Sequence, residues 1–320
     1  MAILPGYYEK KPNKKLVMLR NAVSKLKRMA MSESREEAIL MNQGRILSRM
    51  NESVISDSLS EYEFKIFSQF GEDGIIQHLI KSLVIENQTF IEFGVESFHE
   101  SNCRFLLIKD LWAGFVIDGS AENLERMRNS TFYWQFQLEG AEAFIDKDSI
   151  RPLLESSGFG KSPGILSVDI DGVDYHVLEQ LSDYRPSILI VEYNSLFGSE
   201  QTVSVPYQSD FVRSEAHWSN QYWGASLPAF NELAKRMEMA LVGVTSTGQN
   251  AFFVRRDLLN DKVKEVTIDK CFRSMSFRDS RDTNGNLTFN KPEASLELIA
   301  DLPLVNTETG QVAPVAELVG

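Results

Sequence analysis

Gly164 to Leu181 reads GILSVDIDGVDYHVLEQL. A run of apolar and small residues leads into Asp169, Asp171 and Asp174, set almost side by side, before a helical pattern resumes. Such a run predicts a strand buried on both faces, as in a parallel sheet covered by helices on both sides. Carboxylates at its end then sit at the carboxyl edge of the sheet, where open α/β sheets bind ligands. The block is at once a core strand and a candidate site.

Further runs of the same character flank it: TFIEFG (89–94), AGFVIDG (113–119), TFYWQFQL (131–138) and SILIVEYN (187–194). Helical stretches such as SNCRFLLIKDL and SAENLERMRN separate them, so successive strands are expected to be parallel with crossover helices. After the helix SLPAFNELAKRME comes MALVGVTSTGQNAFFVRRDLL, two β-rich runs divided by a short turn. A parallel crossover needs about a dozen residues, so this pair must form an antiparallel hairpin. The expected fold is α/β, a doubly wound sheet of seven strands, mostly parallel and closed by a terminal antiparallel hairpin.

N-terminal helices precede the sheet. Residues 33–65 read as one or two, AILMNQGRILSRM carrying the clearest apolar stripe. Lys10 to Arg28 holds eight basic residues and no acidic one, with Leu19, Val23, Leu26 and Ala30 at helical spacing. A basic amphipathic helix either packs its stripe on the main domain or a second subunit, or lies on an anionic membrane. The last sixty residues carry no clear motif, and DSRDTNGNLTFNKPE is loop-like. The expected units are residues 1–65, an N-terminal helical extension, 66–260, the sheet domain, and 261–320, a C-terminal extension.

The formal net charge of −12 argues against nucleic acid as a partner, which requires clustered Lys and Arg. Cys103 and Cys271 lie far apart without a CxxC spacing, which argues against a disulfide framework or zinc site and fits a reducing compartment. There is no apolar run near the roughly 20 residues that span a bilayer, and no apolar signal-peptide core. The expected location is the cytoplasm, with the basic helix allowing contact at the inner face of the membrane, and homo-oligomers remain open.

The first expected strand ends IEFGVESFHE. Gly94, between Glu92 and Glu96, lets backbone approach a ligand closely. Glu96 stands where the second glycine of a dinucleotide turn G-x-G-x-x-G is needed, and the incomplete turn counts against nicotinamide. The second strand ends VIDGSAENL, with Asp118 26 positions after Glu92, near the roughly 20-residue offset at which a strand-end acid meets a ribose diol. A plainer reading of Asp118 is a charge suited to the dipole of the following helix. Upstream, FSQFGEDGIIQHL reads as a loop, with Gln69, Gly71 and Asp73, entering a helix.

Asp169 and Asp171 end the fourth strand, and Glu192 and Asn194 the fifth. If those strands are neighbours the groups lie across a gap of about 5 Å. Two carboxylates at that distance repel by about 3 kcal/mol at an effective dielectric of about 20. The set persists if one acid is protonated, if cations neutralise it, or if it binds a metal. A divalent Mg²⁺ or Mn²⁺ on Asp171, Glu192 and Asn194 would use the oxygen ligands hard cations prefer. It would also lower the pKa of a bound hydroxyl. Without metal, the base is His176, His217 or an acid of raised pKa. His176, in DYHVLEQL, serves equally well as a helix-face packing residue.

The region from about 67 to 257, with its terminal hairpin, resembles the class I S-adenosylmethionine (SAM) dependent methyltransferases, a Rossmann-like fold. LSVDIDGVDYHVLEQL followed by PSILIVEYN resembles the block of the FkbM-like methyltransferases, with Asp169, Asp171, Gly172 and Asp174 matching it and Glu192 closing it. Asp171 stands where Glu is common, and the first motif is poor in glycine. The resemblance implies SAM as cofactor, held by Glu92, Gly94, Glu96, Asp118 and Asp169, with Gln69 and Gly71 closing over it. It implies methyl transfer to a hydroxyl of a small-molecule or glycan acceptor, deprotonated near Asp171, Glu192 or His176. The insertion after the fifth strand, with Tyr193, Phe197, Tyr207, Trp218, Tyr222 and Trp223, suits either stacking on a sugar or plain packing. The rivals are a nucleotide-dependent oxidoreductase and a membrane-associated scaffold with a degenerate methyltransferase domain.

Overall fold

The computed structural model describes residues 35–276 and 278–319. Its strands are β1 (Thr89–Phe93), β2 (Ala113–Asp118), β3 (Leu138–Glu142), β4 (Ile165–Val168), β5 (Ile188–Glu192), β6 (Val203–Ser204), β7 (Met239–Val244), β8 (Asn250–Arg255), β9 (Pro303–Asn306) and β10 (Val312–Pro314). Seven of them form one sheet in the order β3-β2-β1-β4-β5-β8-β7. Strands β1 to β5 are parallel, and β8 runs against both β5 and β7. This is the doubly wound, Rossmann-like sheet with a terminal hairpin that the alternation of apolar runs and helices predicts.

Both faces of the sheet are covered, which is why its strands read as continuous apolar runs. Ile91, Phe93, Ile117, Leu166, Val168, Leu189 and Val191 enter one apolar cluster. Their neighbours Phe90, Val116, Ile165, Ile188 and Ile190 enter a second one, because successive side chains alternate across a strand. Glu92, Asp118, Asp169 and Glu192 fall on the parity of that second set, so the acids at four strand ends share one side of the rim.

One expected strand is corrected. TFYWQFQL is helical over Thr131–Gln135, and β3 begins only at Leu138. Phe132 is 2% exposed and Trp134 73%, so the aromatic residues are not lining two faces of a sheet. Upstream, residues 35–50 are helical, and Met41 packs with Phe64, Ile66, Phe67 and Phe105. The basic helix expected over Lys10 to Arg28 lies outside the described residues. None of the described helices is long and apolar enough to cross a membrane.

The described residues of the C-terminal segment, 261–276 and 278–319, pack on the sheet domain. β9 pairs antiparallel with β10 and with β6, which lies in the insertion after β5. Ile299, Leu304 and Val315 are fully buried in the first apolar cluster.

Candidate functional site

The strand order reverses between β1 and β4, and the loops leaving their carboxyl ends frame a cavity of about 220 Å³. Gly94, Asp118, Asp169 and Asp171 line it together with the apolar Ile117, Phe144 and Phe211. Gly94 is required here. Its φ is +66°, and a Cβ on it would stand 1.8 Å from the Asp169 carbonyl oxygen. The loops after β1 and β4 therefore touch, backbone to backbone.

Asp118, at the end of β2, is 7% exposed and organises the cavity wall. Its Oδ2 accepts from the Glu96 amide at 2.7 Å, and its Oδ1 accepts from the Ser120 amide at 2.8 Å and from Asn123 Nδ2 at 3.2 Å. A carboxylate has about four lone-pair sites. Three are used, so Asp118 offers one acceptor position rather than the free pair a ribose diol would take. Glu96 reaches the cavity with φ +48° and lines it.

Three residues expected at the cofactor stand elsewhere. Glu92 turns to the segment before the helix Arg104–Asp110, accepting from Ser101 Oγ and the Asn102 amide at 2.7 Å each and from the Cys103 amide at 3.1 Å. Burial lifts its carboxyl to about 6, and it does not line the cavity. Gln69 is exposed, with its carbonyl accepting from Lys65 Nζ at 2.7 Å. Gly71 is buried, its amide spent on Glu72 Oε2 at 2.8 Å. Their loop is fixed instead by Asp73, whose Oδ2 accepts from the amides of Ile66, Phe67 and Ser68 at 2.7 to 2.9 Å.

Beside the cavity lies the acid cluster. Val168 pairs with Val191, so the next position in register brings Asp169 opposite Glu192. One carboxylate oxygen from each of Asp169, Asp171 and Glu192 lies within 4.8 Å of the others. Burial, and then the repulsion of neighbouring carboxylates, holds both Asp169 and Glu192 well above the ordinary carboxylate range. Asp174 is buried and bound to its own loop, accepting from the Ile170 amide at 2.7 Å and the Gly172 amide at 2.9 Å. That clamp shapes the turn in which Asp171 adopts φ +55°.

A residue the sequence reading missed supplies the counter-charge. Arg213, from the insertion after β5, donates from Nη1 to Asp171 Oδ1 at 2.6 Å and from Nη2 to Asp279 Oδ2 at 2.7 Å. Its guanidinium lies 4.5 Å from the Trp223 ring, which is 1% exposed. A signal was present, because Arg213 is the only Lys or Arg between Arg185 and Lys235, and a cluster of acids demands a cation.

Asn194 does not join the acids. Its Oδ1 accepts from the Leu196 amide at 3.1 Å, while its Nδ2 donates to the carbonyls of Gln221 and Trp223 at 3.1 and 3.0 Å. The side chain closes a turn, and Asp169 takes its place in the oxygen set. Three hard oxygens at this spacing suit Mg²⁺ or Mn²⁺, and Arg213 engages only one of the Asp171 oxygens.

His176 is likewise a packing residue. Its Nε2 lies 2.8 Å from the Val205 carbonyl, and its ring meets Tyr175 and Tyr207 edge-on. Burial pulls its pKa down, and it does not line the cavity. His217 is held by Ser219 Oγ at 2.7 Å. Of the aromatic insertion, Phe197 and Trp223 are buried core and Tyr222 is bound to the Pro303 carbonyl, whereas Trp218 is exposed.

No protein-family model and no curated protein matches this chain. It is similar to an O-methyltransferase family protein from Burkholderia thailandensis at 11% identity, over 53% of this chain and 50% of that one, with TM-score 0.35. For PKMT2 from Rickettsia typhi the identity is 13%, the coverage 59% and 54%, and the TM-score 0.38. For a SAM-dependent methyltransferase from Clostridium acetobutylicum they are 11%, 57% and 89%, and 0.36. The chain spans about half the length of the first two of these structures. Likeness of that degree leaves the functional reading to the site itself.

Proposed function

We propose that this chain is a SAM-dependent O-methyltransferase acting on a hydroxyl of a carbohydrate or similar polar metabolite. The observation that carries the reading is the cavity at the reversal of strand order, where Gly94 admits close backbone approach and Asp118, Asp169 and Asp171 stand around apolar walls. An aromatic base suits Ile117 and Phe144, a ribose hydroxyl the remaining acceptor position of Asp118, and a cationic centre the acids. When bound, SAM supplies a methyl group activated by its sulfonium.

The chain's own part is to hold and deprotonate the acceptor. Asp169 and Glu192 retain protons more strongly than ordinary carboxyls, which brings the pair nearer to the strength a general base needs at neutral pH. Positioning the hydroxyl in line with the methyl supplies most of the rate. The oxygen set of Asp169, Asp171 and Glu192 favours a metal-assisted form of the same reading, in which Mg²⁺ or Mn²⁺ would orient the acceptor oxygen and lower its pKa.

Calorimetry with SAM and S-adenosylhomocysteine, with NAD as control, tests the cofactor. Absence of heat with both sulfur nucleotides sinks the reading. Labelled methyl transfer across nucleotide sugars and glycans then identifies the acceptor, and full activity in excess EDTA removes the metal.

A further inference from the structure

Beside the edge strand β7 lies another cavity, of about 450 Å³, between the segment around Leu59 and the segment 262–273. Its floor is apolar, with Leu59, Val242, Val244 and Val263 all buried. Its rim is basic, with Lys262, Lys264, Lys270 and Arg273 exposed around it. That is contrary to the bulk of a chain with 45 acidic and 33 basic residues.

The acids at this rim are already engaged. Asp57 is held by Lys264 at 3.2 Å, and Glu265 by Arg256 at 2.7 Å. Among the described residues, Lys262, Lys270 and Arg273 have no carboxylate within 4.0 Å. His78, also lining the cavity, adds no negative charge, and burial followed by the Lys262 ammonium holds its pKa down to about 4. The rim hydroxyls of Ser56 and Ser58 add polar groups able to donate to an anion. Three exposed cations without a carboxylate partner thus edge one concave apolar floor, and an anion seated on that floor is attracted by all three.

We propose that this cavity binds a soluble organic phosphate, its apolar body on the Leu59 and Val263 floor and its phosphate against Lys262, Lys270 and Arg273. A phosphate monoester carries about −1.5 to −2 charges at neutral pH and three acceptor oxygens, which matches three cationic donors better than a carboxylate does. The site is independent of the methyl-transfer reading.

A built-in reporter lines the same cavity. Cys271 is half-buried there, whereas Cys103, the other cysteine, is fully buried. Burial pushes the Cys271 thiol up to about 11, so alkylation with N-ethylmaleimide is slow and best followed at alkaline pH.

The test uses the full chain with phenyl phosphate as probe. Calorimetry should register binding, and the probe should slow alkylation of Cys271 several-fold, while phenol at equal concentration should not. Combining Lys262→Glu with Lys270→Glu, both exposed substitutions, should weaken binding by about tenfold or more and abolish protection without changing the circular dichroism. Absence of binding, binding that leaves Cys271 unprotected, or binding indifferent to the charge reversals overturns the proposal. Vesicles containing phosphatidic acid are run in parallel, and sedimentation with them in the absence of phenyl phosphate binding assigns the surface to lipid and overturns it too.

Discussion

Arg213 Nη1 stands 2.6 Å from Asp171 Oδ1, although the two residues are 42 positions apart in the chain. Its other guanidinium nitrogen binds Asp279, so one side chain ties the loop after β4, the insertion after β5 and the C-terminal segment into a single site. Arg213 is largely buried, with its side chain 14% exposed, whereas that of Asp171 is 60% exposed. Solvent screens the pair on the Asp171 side, so its value is that of a partly buried bridge. Arg213→Met is expected to cost about 2 kcal/mol in urea unfolding, since it leaves the acid cluster without its cation. Asp279→Asn, which removes only one partner, should cost about half as much. Equal stability of Arg213→Met and the unsubstituted chain is the result that rules this out.

Asp118→Ala should weaken S-adenosylhomocysteine binding by about tenfold to a hundredfold, in calorimetry at fixed pH and salt. Two effects combine in that figure. The substitution removes the acceptor left for a ribose hydroxyl, and it frees the amides of Glu96 and Ser120, whose loops form the cavity wall. Asp118→Asn keeps the acceptor oxygen and should recover part of the affinity. An unchanged affinity in the Ala variant places the nucleotide elsewhere.

These relationships differ in how far the sequence disclosed them. The β4 strand and the β7–β8 hairpin were legible because burial on both faces forces continuous apolar runs, and the short turn at residues 245–249 leaves no room for a crossover. The meeting of Asp169 with Glu192 followed from the adjacency of β4 and β5. TFYWQFQL misled because aromatic content suits strands, yet Phe132 packs against Phe98 from a short helix. Asn194 and Glu92 looked like ligands by residue type and position. What a side chain does depends on which backbone amides lie near it, and the amides of Leu196 and of Asn102 and Cys103 claim these two. Arg213 was marked by its isolation among uncharged and acidic residues, but its target was not, since folding of the insertion decides it.

Glu92 makes a pH prediction. Its carboxyl rises from 4.5 to about 6 in the folded state, chiefly through burial. Between those values the folded chain binds more protons than the unfolded one, so this group's contribution to stability is present at low pH and falls as pH rises from about 4.5 to about 6. A shift of that size corresponds to about 2 kcal/mol. Glu92→Gln, neutral throughout, should therefore lack this decline. The measurement is urea unfolding of both proteins from pH 4 to 7.5, taking the difference at each pH so that other titrating groups cancel. Parallel curves mean that the carboxyl is not desolvated as described.

Gly94→Ala is expected to be the most damaging methyl group that can be added at this rim. Two independent effects act against it. At φ +66° an L-residue carries roughly 1 kcal/mol of backbone strain. The added Cβ would also stand 1.8 Å from the Asp169 carbonyl oxygen, a contact that only a backbone shift relieves. The shift must come from the loop after β1 or from the loop after β4, and Asp118 and Asp174 clamp these through their hydrogen bonds to Glu96 and to Ile170 and Gly172. Displacing either loop moves Glu96 away from Asp118 or Asp169 away from Glu192. The variant should lose more than about 1 kcal/mol of stability and bind S-adenosylhomocysteine at least about tenfold more weakly. Gly158→Ala is the control, since that glycine also has positive φ, at +72°, but nothing lies within 4 Å of its added Cβ. It should show the strain in unfolding experiments and leave nucleotide binding untouched. Equal nucleotide affinity in the two variants rules out the contact between Gly94 and Asp169 as the hinge of the cavity.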